Sequence, residues 1–223
     1  KEKVPEIVGL LTLPSIIKKP LLIPWISGYT SGMKRPWIAA IILATILIVF
    51  RIFSTNVEGL VNFSPFAALF FCGAAFMHSN KWLLPTALLA WLISNPLSAM
   101  MQGYSAFHST SIYTVLGFAL VIGLGFLFSK KGALATIGGS LIGACVFYFV
   151  TNTASFFTDP LYAKTMSGYM QAMWTGIPGY PPTWEFFRNS LAANGLFTCL
   201  FLAIMAIPSI RKATSFQLAY TAH

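Results

Sequence analysis

Apolar residues in this chain come in long runs, with polar residues gathered in the gaps between them. Strict alternation would predict strands, whereas unbroken runs of this length predict helices across a bilayer, which takes about 20 residues. Six runs meet or approach that length: 36–53, 63–77, 82–100, 112–128, 134–157 and 186–208. The second is the shortest and opens with Pro65, a residue suited to a first helical turn. The expected fold is an all-α membrane protein, a six-transmembrane-helix bundle, followed by a tail over 209–223.

Composition reinforces the pattern. Of 223 residues 57% are apolar and only 9% charged, against roughly a quarter charged in soluble domains. A water-soluble enzyme is excluded. Basic residues then set the orientation. Lys1, Lys3, Lys18, Lys19, Lys34, Arg35, Lys81, Lys130, Lys131, Arg211 and Lys212 fall on one side of the six runs, and only Arg51, Lys164 and Arg188 on the other. The positive-inside rule places both termini in the cytoplasm. The net charge of +9 therefore reads as topology signal and anionic-lipid contact, and no nucleic acid is expected as a partner. Residues 1–35 are apolar but broken by Pro14 and Lys18-Lys19-Pro20, which predicts an interfacial arm on the inner membrane surface or along a partner.

Several chemistries drop out. Cys72, Cys145 and Cys199 each lie within an apolar run, and His78, His108 and His223 are far apart, so neither metal nor cofactor is expected. The five acids (Glu2, Glu6, Glu58, Asp159 and Glu185) all lie outside the runs, which leaves no paired carboxylates for intramembrane catalysis. No phosphate-binding loop is present, so the chain is not its own ATPase.

Polar groups inside lipid are costly unless they face protein or water, which makes them the best pointers to a site. At 1.5 Å per residue, Asn95 lies roughly 20 Å and Asn152 roughly 27 Å from the inner end, while Asn194 lies roughly 12 Å below the outer surface. All three fall in the outer half. Ser190 and Thr198 share a helical face with Asn194, Tyr148 and Ser155 one with Asn152, and Trp91 and Ser98 one with Asn95. One reading is hydrogen-bonded glue between helices. The other, preferred here, is a cavity open to the outside. Residues 158–185 form the longest outer connection, rich in aromatics and methionines and carrying Tyr162, Lys164 and Trp174. They suit either a lid over a partly apolar ligand or an interfacial aromatic belt. Arg51, Lys164 and Arg188 balance Glu58, Asp159 and Glu185 on that side, so no strongly charged solute is demanded. Ala135, Gly139 and Gly143 repeat every four residues, as do Ala40 and Ala44, which marks faces for close approach of a partner helix.

The blocks Asn62-Phe63-Ser64-Pro65-Phe66-Ala67-Ala68-Leu69, Thr151-Asn152, Leu161-Tyr162-Ala163-Lys164-Thr165 and Phe186-Phe187-Arg188-Asn189-Ser190-Leu191 resemble a family of bacterial six-helix membrane proteins of unknown function, over about residues 36–207. That family is similar, more distantly, to the substrate-capture (S) components of energy-coupling-factor vitamin transporters. The resemblance implies an outward pocket lined or gated by Asn56, Asn62, Asn152, Arg188 and Asn189. It also implies that Ala40 and Ala44 dock on a coupling subunit. The family often has an acid where this chain has Asn95 and Asn194, a departure that puts a shared substrate in doubt. The expected function is a non-enzymatic solute-binding component in the cytoplasmic membrane of a bacterium, taking up a small, partly apolar solute. The alternative is a structural or accessory subunit of a larger membrane complex.

Overall fold

In the computed structural model the described residues are 36–57, 59–77, 81–103, 105 and 111–221, with side chains from 40 to 206 apart from the gaps and Ile38 before them. The expected arm over 1–35 lies outside them. The described residues form seven helices and no strand. These are α1 (Pro36–Asn56), α2 (Phe66–Ala75), α3 (Leu83–Met101), α4 (Ser111–Leu127), α5 (Ala133–Thr158), α6 (Met166–Met173) and α7 (Thr183–Thr221). The six runs each hold a helix. α6 arises inside the long connection between α5 and α7, where Thr165 caps its first turn by accepting from the Gly168 amide at 3.2 Å. α7 continues to Thr221, beyond the boundary expected near Pro208.

Among the described residues three helices are long and apolar enough to cross a membrane: Leu83–Met101, Ala133–Thr158 and Thr183–Ala206. These mark the chain as a membrane protein. Large apolar residues face outward on every long helix, for example Ile41, Ile42, Ile46, Val49 and Phe53 along α1. In water such a surface would be an aggregation hazard, whereas in lipid it is the solvated face.

α2 is the exception in length and position. Its 10 residues rise about 15 Å, half of a hydrocarbon core of about 30 Å. It packs against α3, α4, α5 and α7, and nine of its ten residues are buried. Being wrapped by neighbours, it has no need to reach both membrane faces. Two glycines admit close backbone approaches around α2: a Cβ at Gly125 of α4 would meet Ala74 at 2.8 Å and the Phe71 carbonyl, and one at Gly73 of α2 would meet the Leu84 backbone at 3.0 Å. Phe70 and Phe71 are fully buried there. Phe76 meets Phe201 at 5.4 Å and Phe71 meets Phe128 at 5.7 Å, so this end of the bundle is filled by aromatic rings.

The small-residue faces behave differently from the expectation of a partner helix. Gly139 and Gly143 are buried beneath this chain's own Phe71, Phe128 and Val121, because side chains from α2, α4 and the residue after α4 fill the recess that a second backbone would need. Ala135 is exposed, while Ala40 and Ala44 are partly buried, Ala44 against the core.

At the opposite end, side chains rather than close backbones hold the helices. The Thr55 and Ser98 hydroxyls lie 2.9 Å apart and join the ends of α1 and α3. Asn189, near the start of α7, donates to the Gly59 and Val61 carbonyls at 2.7 and 2.9 Å and secures the α1–α2 connection. α1 and α7 are bridged by Phe50 and Phe197, whose rings meet edge-on at 5.4 Å, with Phe63 between them.

Candidate functional site

Because α2 stops half-way, the space beyond its N-terminus is left to the surrounding side chains. A cavity of about 220 Å³ occupies it. Its wall takes Arg51 from α1, Asn62 and Ser64 from the α1–α2 connection, Trp91 and Asn95 from α3, Thr114 and Phe118 from α4, Phe147 and Thr151 from α5, and Ser190 and Asn194 from α7. Ala67 and Ala144 complete it. Every long helix contributes.

Rise per residue separates the wall into layers. Thr114, Arg51 and Asn95 lie about 5, 8 and 9 Å from the helix ends that gather here. Trp91 and Phe147 lie about 15 and 17 Å in. Polar groups thus dominate the shallow part and aromatics the deep part. Phe118 sits 5.3 Å from Trp91, edge-on, and stacks on Phe147 at 4.6 Å, which makes a continuous aromatic floor.

Asn194 is the deep polar exception, and it is fully engaged. Its Nδ2 donates to the Ser190 carbonyl at 2.8 Å, and its Oδ1 accepts from the Ser140 hydroxyl at 3.2 Å. Ser140 in turn accepts from Thr198 at 2.8 Å, and Cys72 approaches Thr198 at 3.9 Å. All four side chains are buried. A closed chain of donors and acceptors of this kind makes buried polar groups tolerable in a membrane core.

Arg51 is the opposite case. Its Nε is buried and has no hydrogen-bond partner, and no carboxylate lines the cavity among the described residues. A buried donor left unpaired costs about 1–3 kcal/mol, and more when charged. The mouth is formed by a strained connection. Gly59 has φ of +80° and Asn62 +62°, a conformation Asn tolerates better than most residues, and the Asn62 side chain is exposed.

A family of unknown function, DUF6580, matches residues 31–216. The chain belongs to this family. The match takes in all seven helices apart from the last turn of α7, and so the whole of the cavity. No curated protein and no solved structure matches the chain.

Of the ten side chains expected around a ligand, the DUF6580 fold brings three to one cavity: Asn62, Asn95 and Asn194. The others have different employment. Asn152 turns to its own helix and donates to the Tyr148 carbonyl at 2.8 Å, and Asn56 does the same to Ile52 at 2.7 Å. Asn189 ties down the α1–α2 connection, and Arg188 donates to it at 3.2 Å while lying 5.1 Å over the Trp184 ring. Lys164 donates to the Phe156 carbonyl and, at 2.7 Å, to that of Asp159, which satisfies the C-terminal carbonyls of α5. Tyr162 is buried in a small core with Phe156 and Ala172, and Trp174 is 61% exposed.

The long connection between α5 and α7 therefore departs from the expected lid. It packs on α5 and α7, and none of residues 159–182 lines the cavity. Tyr162 and Tyr169 are committed to its own core: Tyr169 meets Phe156 at 5.3 Å and its hydroxyl lies 3.2 Å from that of Thr153. Tyr148 fixes the end of α6 by donating to the Met173 carbonyl. Burial, with Asp159 nearby, raises the Tyr162 phenol above its ordinary value, and a hydrogen bond with Thr183 opposes this.

Sequence reasoning passed over Arg51, Ser64 and Thr114 as cavity residues. For Arg51 a signal existed: a cation inside an apolar run, two residues from its end, with no acid three or four positions to either side.

Proposed function

We propose that this chain is a membrane-embedded solute-binding component that takes a small solute into the cavity beyond α2. The observation that carries the reading is the cavity itself, polar at its shallow end and aromatic at its floor, with a wall drawn from all six long segments. Such a gradient suits a small amphipathic solute entering polar end outermost. At about 220 Å³ the space falls below the roughly 300–1,000 Å³ of drug-sized ligands, so the solute is small. The distribution of Lys and Arg supports six crossings with both termini in the cytoplasm of a bacterium, and hence a cavity facing outward. The resemblance to S components supports a partner subunit that supplies energy, with the face of α1 bearing Ala40 and Ala44 as its docking side. No catalytic step is assigned to the chain.

The test is ligand-induced thermal stabilisation of the purified protein across a library of small nutrients. A solute at 100 times its dissociation constant adds about 2.7 kcal/mol. Stabilisation that is lost on filling the floor with Ala144→Phe supports the reading, and a flat response across the library overturns it.

A second reading, as an accessory subunit of a larger complex, draws support from expected ligand residues that instead tie a helix end and a loop, Lys164 and Asn189. Co-purification of the same partner subunits in the absence of any stabilising solute would favour it.

A further inference from the structure

Building on the proposed capture role, we infer that the cavity selects a small organic anion, a monocarboxylate with an apolar body, through Arg51. The sequence alone suggests no charge preference, since cations and anions balance across the outer segments. Folding breaks that balance. Of the three outer-side cations, Lys164 is spent on the end of α5 and Arg188 lies on Trp184, and neither lines the cavity. Arg51 does line it, and its buried Nε has no partner. Among the described residues no Asp or Glu accompanies it in the wall.

The remaining wall groups are neutral. Asn62, Asn95, Ser64 and Thr114 offer amide and hydroxyl groups toward the shallow end, while the Thr151 hydroxyl donates to the Phe147 carbonyl at 2.9 Å. A guanidinium presents planar, forked donors that match a carboxylate, and neutral donors around it suit an anion without competing for the cation. Beneath lie Trp91 and Phe147, with Phe118 against both, and these rings suit a ring or short chain attached to that carboxylate. The carboxylate therefore belongs at the shallow layer and the apolar body on the floor.

The experiment uses the full chain in nanodiscs of zwitterionic lipid. Dissociation constants are measured for benzoate and hexanoate and for their uncharged partners benzamide and hexanamide. The expected result is acid binding at least about tenfold tighter than amide binding, and near parity in Arg51→Gln, a tenfold ratio being the scale of one charge-assisted contact. Arg51→Lys keeps the charge but not the fork and falls between. Equal affinity of acid and amide in the unaltered protein overturns the inference while leaving solute capture standing. Binding of amides alone, or of neutral library solutes unaffected by Arg51→Gln, does the same. Binding of no solute, charged or neutral, removes the capture reading and this inference with it. Replacing part of the lipid by phosphatidylglycerol separates a headgroup phosphate from a soluble acid: stabilisation by that lipid, with none by the carboxylates, also overturns the inference.

Discussion

The two halves of this bundle share helices but not a mode of construction. Around α2, backbones approach to glycine distance and aromatic rings fill what is left. Beyond the N-terminus of α2, the same helices are held apart by bulky side chains and tied by hydrogen bonds to loop carbonyls, and a cavity remains. The difference shows how a membrane protein can hold a hollow without a hydrophobic drive to close it. Lipid is as apolar as leucine, so cohesion comes from packing in one half and from side-chain ties in the other.

The sharpest way to break this contrast is a pair of glycines two residues apart. Gly125→Ala places a methyl against the Phe71 carbonyl and Ala74, whereas a methyl at Gly123 meets nothing within 4 Å. Overpacking of this kind costs about 1–3 kcal/mol, so Gly125→Ala is expected to lower stability in detergent by that amount and Gly123→Ala to leave it unchanged or slightly raised. Equal tolerance of both would mean that the α2 half is not tightly packed.

Smaller effects are expected in the hollow half. Asn189→Leu removes both bonds to the Gly59 and Val61 carbonyls. Leaving these carbonyls unpaired costs about 1–2 kcal/mol. Limited proteolysis should then cut near Gly59 faster than in the unaltered protein, with thermal unfolding of the α2 half little changed. Unchanged cleavage would show that the connection holds itself through its own turns, such as Phe63 to Leu60 at 2.9 Å.

The smallest effect concerns the connection between α5 and α7, which has its own core. The folded Tyr162 phenol keeps its proton at pH values where the unfolded phenol, titrating near about 10, has lost it. The folded form therefore holds more protons in that window, and its advantage is full below about pH 10 and falls as pH rises through the raised folded value. Hydrogen exchange over residues 159–182 should accelerate above pH 10, and Tyr162→Phe should flatten that dependence. Identical slopes would assign the change to other groups.

How much of this was legible beforehand varies with the kind of signal. The six apolar runs located α1 to α5 and α7 because helix formation in lipid is dictated locally: every backbone group must be satisfied within its own segment. α6 was missed since its eight residues are short and mixed in polarity, and only Thr165 announces its start. The depth of Asn95 and Asn194 could be counted from helix ends, and both reach the cavity. Asn152 was counted with the same care, yet it bonds to Tyr148, because depth fixes height along a helix and not the choice between a cavity and a nearby carbonyl.

The sequence by itself determined the helical class, the membrane setting of three long helices, and the gathering of polar groups toward one end, all of which follow from runs and counts along the chain. The tertiary structure alone decided that α2 is a buried half-length plug, that Gly139 and Gly143 receive this chain's own rings, and that Arg51 rather than Lys164 or Arg188 faces the cavity. The physical reason is that these depend on which neighbour fills a given space, and side-chain volume meets side-chain volume only after the helices have assembled.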